Sequence, residues 1–319
     1  MNGQDALAER LAGALRSRPD LLVLGEDVLD GGVFGLSRVA AADEDLRPRL
    51  CPTPLVPGTM AGHAAGLGLA GRSALIVAPS ASAVLDGMAD LLAAADPAAW
   101  AAMDAPAPFK LLVPVGPGLG TAEDADRPVE ALLAAVPGLA LLAAGRPETL
   151  LPAFDALLDA PGPTALLVPR RVLLAPQPGS VAALDPSGLD RLTEGRRGTI
   201  FAFADAVAPA LEAGAGLDVT VAELWRLDPL PADAIGEAAR TGHVVIAHPG
   251  PDSLVAHRIA AVCAGEAVWH LDGPVRIVGG ARPPLGPAAE HLSVPDAEAI
   301  YAALVSAGAV PPQQEKDRP

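Results

Sequence analysis

Lysine is nearly missing from this chain: Lys110 and Lys316 are the only two in 319 residues. Lys and Arg together number 22 against 38 Asp and Glu, for a formal net charge of -16. A binder of duplex DNA or RNA needs clustered cations, and so does a protein held on anionic lipid, so both classes are disfavoured. Aromatic residues are equally scarce at 3%, which leaves few rings for base stacking or for a membrane belt. Two cysteines, Cys51 and Cys263, stand far apart with no CxxC spacing. Neither a disulfide framework nor a zinc site is expected, and two free thiols suit a reducing cytoplasm. No apolar run reaches the ~18 residues of a membrane span, because Arg72, Pro97 and Pro137 interrupt the longest ones. The opening residues are charged and amphipathic rather than signal-like, and a soluble intracellular protein is expected.

What remains is ample core material. Hydrophobic residues make up 51%, and the 33 glycines and 34 prolines are spread between apolar runs as turns. That pattern is globular rather than disordered, and the length suggests two domains. Leu7, Leu11 and Leu15 mark a helix over 5–18, and LLVLG (21–25) follows as a short continuous apolar run. Such a run is how a strand covered on both faces reads. Further strands are expected at 74–78, 109–116, 139–144 and 164–169, with helices at 62–71, 83–95 and 146–159. The alternation implies a parallel, doubly wound α/β sheet. Residues 175–198 are rich in Pro, Gly, Ser and charge and read as a linker. A second alternating unit follows, with strands at 199–204, 217–224, 243–249 and 275–280 and helices at 205–213, 231–240, 253–264 and 295–308. The residues from 311 onward read as a disordered tail.

Ordered strings now carry a resemblance. LLVLGEDV (21–28), GGVF (31–34), TPL (53–55), AGHAAGLGLAGRSALIV (61–77), VPGLALLAA (136–144) and TALLVPRRVLL (164–174) occur in sequence. DPLPADAIGEAARTGHVVIAHPG (228–250) and PDAEAIYAAL (295–304) complete the set. Together they resemble the β chain of the thiamine-diphosphate-dependent 2-oxoacid dehydrogenases, of pyruvate and branched-chain type. The resemblance implies a pyrimidine-binding domain over 1–174 and a transketolase C-terminal-like domain over 199–310, joined by the linker. It also implies an α-like partner chain, in an α2β2 heterotetramer, or self-association as a homodimer. Thiamine diphosphate with Mg²⁺ would bind only together with that partner, because the GDG…N motif that holds them belongs to the α chain and is not found here. Otherwise the cofactor is lacking altogether.

In the family a buried glutamate of the β chain protonates the pyrimidine and so activates the cofactor. Here Pro57 stands at that position, or Val56 if the alignment slips by one residue. The aromatic segment that walls the pyrimidine is replaced by Ala78-Pro79-Ser80-Ala81-Ser82-Ala83. The family's histidine loop corresponds to 116–132, which is acidic and has no histidine. Carried over by position, the cofactor-facing residues would be Glu26, Val56, Pro57, Met60, Ser80 and Ser82. The stripe Gly62, His63, Gly66 and Ala70 would be a subunit interface. No catalytic residue and no metal ligand is assigned.

Other features read more plainly. Glu26 and Asp27 lie at a strand's carboxyl end, where ligands of α/β sheets bind, and serve a site or simply satisfy loop backbone. GPGLG (116–120) is a poor phosphate loop because Pro117 lacks an N–H. His243, His248, His257 and His270 have no metal-site spacing and read as core or solvated residues. Arg170 and Arg171 read as surface charge, with an anion contact as the alternative. Ser80 and Ser82 lack a GxSxG elbow, which excludes a hydrolase of that type. Three readings stand: a β-like subunit with a dismantled cofactor site, an active 2-oxoacid decarboxylating subunit that manages without the glutamate, and a non-catalytic dimeric binding or scaffold protein.

Overall fold

The computed structural model describes residues 1–104, 109–118, 129–179, 183–281 and 286–311. The first helix, α1 (Gly3–Ser17), begins at Asn2, whose side chain accepts from the Asp5 N–H at 2.9 Å while Asp5 reaches back to the Asn2 N–H. This reciprocal cap fixes the start, and Leu7, Leu11 and Leu15 are buried beneath it. After β1 (Leu21–Gly25) come α2 (Arg38–Ala42), β2 (Leu50–Pro52), α3 (Pro57–Leu69) and β3 (Ser73–Val77). Three short helices follow, α4 (Ala81–Asp86), α5 (Met88–Ala95) and α6 (Pro97–Ala102). Then β4 (Phe109–Val115), α7 (Val129–Leu133), β5 (Ala140–Ala143), α8 (Pro147–Asp159), β6 (Thr164–Pro169) and α9 (Arg170–Leu174) complete the first unit.

The second unit runs β7 (Leu189–Thr193), β8 (Thr199–Ala202), α10 (Val207–Gly214), β9 (Thr220–Leu224), β10 (Arg226–Asp228) and α11 (Ala232–Ala238). It continues with β11 (Val244–Ala247), α12 (Leu254–Glu266), β12 (Arg276–Val278) and α13 (Ala297–Ala307). Among the described residues the first sheet has the order β10-β5-β6-β4-β3-β1-β2 and the second β12-β11-β8-β9-β7. Pairing is parallel except at β10 against β5 and β7 against β9. Each sheet is therefore a covered parallel sheet with one antiparallel edge, a common α/β arrangement. The expected α/β class with two largely parallel sheets is borne out.

The structure departs from the sequence reading in three places. Residues 189–193 lie within the stretch read as linker, yet they form β7 in the second sheet. Only Leu189 of that strand is fully buried, so an edge strand with polar residues outward has the composition of a loop. The short strand β10, which follows β9 directly, crosses back to pair with β5 of the first sheet. One hydrophobic cluster accordingly runs through both units, from Leu24, Ile76 and Leu111 to Phe201, Phe203 and Leu224. The helix expected over 83–95 is broken at Gly87 into α4 and α5. A Cβ at Gly87 would lie 2.8 Å from the Pro57 Cβ, so only glycine lets the start of α3 pack so closely there. The expected tail from 312 onward lies outside the described residues.

Candidate functional site

Loops at the carboxyl ends of parallel strands form the usual ligand crevice of an open α/β sheet. In the first sheet these follow β1, β3, β4 and β6. After β1 the chain exposes Glu26 and turns Asp27 partly inward, with its Oδ1 buried and without a hydrogen-bond partner among the described residues. Thr53, just past β2, donates its N–H to the Gly25 carbonyl at 3.0 Å and has a similarly orphaned Oγ1. The GGVFG run then coils through left-handed backbone at Gly31, Gly32, Phe34 and Gly35, with φ of 112°, 74°, 54° and 70°. Phe34 is one of few non-glycine residues held there, a conformation that costs free energy and has to be imposed by its surroundings. The Arg170 guanidinium lies over its ring at 5.8 Å from the centroid.

The position that carries the family's glutamate lies at the start of α3. Val56 is the N-cap and Pro57 the first helical residue, and Val56 makes no side-chain cap. Proline suits this position, where its missing N–H would be unpaired anyway. The space behind it is a cavity of about 20 Å³ lined by Pro57, Met60, Ala78, Pro79, Val84 and Leu111, among others. That is room for about one water, and the lining offers no side chain able to hold one. Of the residues carried over by position, Pro57 and Met60 line the cavity together with Ala78, Pro79 and Ala83. Glu26, Val56, Ser80 and Ser82 are not in its wall. Ser80 instead caps α4, accepting from the Ala83 N–H at 3.3 Å. The cavity lining contains no carboxyl and no aromatic ring.

The stripe on α3 is open. Gly62, His63, Gly66 and Ala70 are all exposed, and an added Cβ at Gly62 or Gly66 would meet nothing within 4 Å. Leu55, Val56 and Leu69 on the same element and its approach are about half exposed.

Buried charge gathers where β4, β6 and β8 end, and sequence reasoning missed most of it. Arg170 is 1% exposed, and Arg171 pairs at 2.7 Å through its Nε with Asp205, itself 2% exposed. Arg170 is therefore not the surface charge expected of it, while Arg171 is partly exposed, its side chain 36% accessible, and ion-paired. The Arg170 guanidinium donates through Nη1 to the Gly116 carbonyl. Gly116 has φ +84°, and a Cβ there would fall 2.2 Å from the Asp205 carboxylate. Burial pushes the Asp205 carboxyl up to about 6, against the pull of Arg171 and Arg170. On α7, Glu130 is 4% exposed and has an orphaned Oε1, and burial raises its carboxyl to about 7. Glu290 accepts from the Gly118 N–H at 2.7 Å, which ties the end of β4 to the second unit. The one available signal in the sequence was position: Arg170, Arg171 and Asp205 each follow a strand directly. Most of the histidine-free 116–132 stretch, residues 119–128, lies outside the described residues.

The remaining histidines and thiols follow expectation in part. His248 is a core residue at the end of β11, its Nδ1 2.9 Å from the Pro249 carbonyl, and burial lowers its pKa. Cys51 and Cys263 are both free. Among the described residues no cluster of His, Cys, Asp and Glu is placed to hold a metal ion, and no helix is long and apolar enough to cross a membrane.

No family model matches the chain. Over 92% of its length it is 28% identical to the pyruvate dehydrogenase E1 component subunit beta of Leifsonia xyli, and covers 91% of that protein. Among solved structures it superposes on a split-gene transketolase, described as an inactive beta4 tetramer, with TM-score 0.75 and 19% identity. That match covers 96% of this chain and 98% of the other. The transketolases of Leishmania mexicana and Campylobacter jejuni match with TM-score 0.67 at 15% and 14% identity. This chain spans under half of each, 45% and 46%. The fold is that of the transketolase group, and the resemblance to a pyruvate dehydrogenase β chain, read from ordered strings, extends along nearly the whole molecule.

Proposed function

We propose that this protein is a cytoplasmic, β-subunit-like chain of a thiamine-type heteromer whose pyrimidine-activating site has been dismantled, and that it serves assembly rather than chemistry. The carrying observation is Pro57 at the family's glutamate position, backed by an apolar cavity of about 20 Å³. Cofactor activation needs a desolvated carboxyl within hydrogen-bond reach of a ring nitrogen. Proline offers no proton, and the neighbouring Ala78 and Pro79 offer no ring to stack on. The exposed small-residue stripe on α3 supports a packing surface for an α-like chain or a second copy. The inactive all-β tetramer of the split-gene transketolase supports self-association as the state of the chain without such a partner.

Co-expression with an α-like chain tests the assembly part. A stable heteromer is expected, and a monodisperse monomer indifferent to that chain would overturn it. C2-proton exchange into D₂O, followed by NMR on the heteromer with thiamine diphosphate and Mg²⁺, tests the chemical part. No thiamine-dependent C2-proton exchange above background is expected. Exchange above background would instead favour an active enzyme that has replaced the glutamate.

A further inference from the structure

At the opposite, amino-terminal edge of the first sheet lies a second cavity, of about 230 Å³. Five-residue strands put about 17 Å between the two edges, so it is separate from the site above. Its lining includes Arg18, Arg72 and Lys110 against a single carboxylate, Asp20. This concentration of cations stands out in a chain of net charge -16 in which Lys110 is one of two lysines.

The three cations are held in place from behind. Lys110 is 2% exposed, and its ammonium donates at 2.6 Å to both the Ala160 and Gly162 carbonyls. Among the described contacts this uses two of its three N–H donors, and Lys110 is one of the residues that line the cavity. The Arg72 guanidinium donates to the Asp20 and Pro19 carbonyls at 3.3 Å. Arg18 donates to the Leu158 carbonyl and pairs with Asp159 behind the cavity. Its own main-chain carbonyl accepts from Arg49 at 2.7 Å. Neutral carbonyls orient the charges without cancelling them, and Asp159, outside the wall, offsets part of the charge of both Arg18 and Lys110. Burial, and secondarily the Arg18 charge, lowers the Lys110 ammonium to about 8, so it is still mostly protonated at neutral pH. A nearly buried lysine with a spare donor, flanked by two guanidinium groups, gains from a counter-anion in the cavity more than from water.

We propose that this cavity binds a small dianionic oxyanion of the phosphate class, either free phosphate or the phosphate of a small ester. Charge and volume suit such a group. The arginine forks supply the planar donor geometry that phosphate oxygens accept, and Lys110 supplies the inner point charge.

The probes are inorganic phosphate and glycerol 3-phosphate, titrated calorimetrically into the full chain at constant low ionic strength, with chloride as the control salt. Saturable binding of one probe or both is expected. Tighter binding of glycerol 3-phosphate would point to an ester, and tighter binding of inorganic phosphate to the free ion. Arg72→Gln should weaken affinity about tenfold, the loss of one charge-assisted hydrogen bond. Arg196→Gln, at a remote side chain 93% exposed, should leave it unchanged. Lys110→Met should abolish binding, with its thermal unfolding recorded to show that it folds. No binding of either probe, or equal weakening by Arg72→Gln and Arg196→Gln, would overturn the assignment.

Discussion

Glu223, on β9 of the second sheet, holds Arg146 at the start of α8, Nε to Oε2 at 2.6 Å, and thereby locks the two units together. The carboxylate is 0% exposed and also accepts from the Gly145 N–H at 2.8 Å and the Thr149 hydroxyl at 3.0 Å. Arg146 is further flanked by Glu148 and Asp190. A Cβ at Gly145 would lie 2.4 Å from the Val207 side chain, so the same point is also sterically sealed. Removing Glu223 takes the nearest counter-charge from Arg146, which keeps Glu148 and Asp190, and leaves the buried Gly145 N–H and the Thr149 hydroxyl without this acceptor. Glu223→Ala is expected to lower unfolding free energy by about 1–3 kcal/mol. Glu223→Gln, which keeps acceptor capacity but loses charge, should cost less. Urea denaturation followed by circular dichroism measures both, and equal stability of Glu223→Ala and the parent would refute the clamp.

Glu130 predicts a pH dependence. Its carboxyl is near 4.5 when solvated and about 7 when folded, because burial disfavours the anion. Between those values the unfolded chain releases a proton that the folded chain keeps. Stability contributed by Glu130 is therefore full below about 4.5 and is lost as pH rises to about 7, a change of order 3 kcal/mol. Asp205 acts in the same direction between 3.8 and about 6. Glu130→Gln should flatten the upper part of the slope, leaving the Asp205 part. Denaturation midpoints collected across this range decide it, and parallel curves for parent and variant would refute the assignment.

Restoring the acid alone is not expected to restore the cofactor site. Pro57→Glu puts a carboxylate at a helix N-terminus, where the dipole favours it, so the variant should fold. Yet the cavity beside it holds about 20 Å³, and the Asp90 carboxylate lies where a Gly58 side chain would begin, Oδ2 2.0 Å from an added Cβ. Calorimetry with thiamine diphosphate and Mg²⁺ should show no binding by Pro57→Glu assembled with the α-like chain. Saturable binding would mean that a single missing group, not a filled pocket, disables the site.

The α3 stripe separates folding from assembly. Gly66→Arg meets no neighbour within 4 Å in the chain itself, and arginine is a better helix former than glycine. Its melting temperature as an isolated chain should match or exceed the parent's. Its apparent mass by light scattering should fall to that of a monomer. An unchanged oligomer would remove the stripe from the interface.

The positions of most strands along the chain were legible in the sequence. Buried parallel strands such as LLVLG and TALLVP are continuous apolar runs, and that signal needs no partner to be read. That Pro57 stands where the resemblance expects a glutamate was legible as well, because it is a matter of residue identity. The edge strand β7 was hidden because half of its face is wet, and β10 because three residues carry no period. Arg170 and Arg171 look like any charged pair on a loop. Only the fold brings Asp205, from the second unit, beside them.

The sequence by itself determined which local pieces form and which chemical groups the old cofactor position lacks, since both depend on residue type and near-neighbour spacing. The tertiary structure alone decided which charges are buried, that the space behind Pro57 is small and lined by apolar side chains, and that Arg18, Arg72 and Lys110 share one cavity. Those facts depend on distance and exclusion of water between residues that are dozens of positions apart, and no local pattern encodes them.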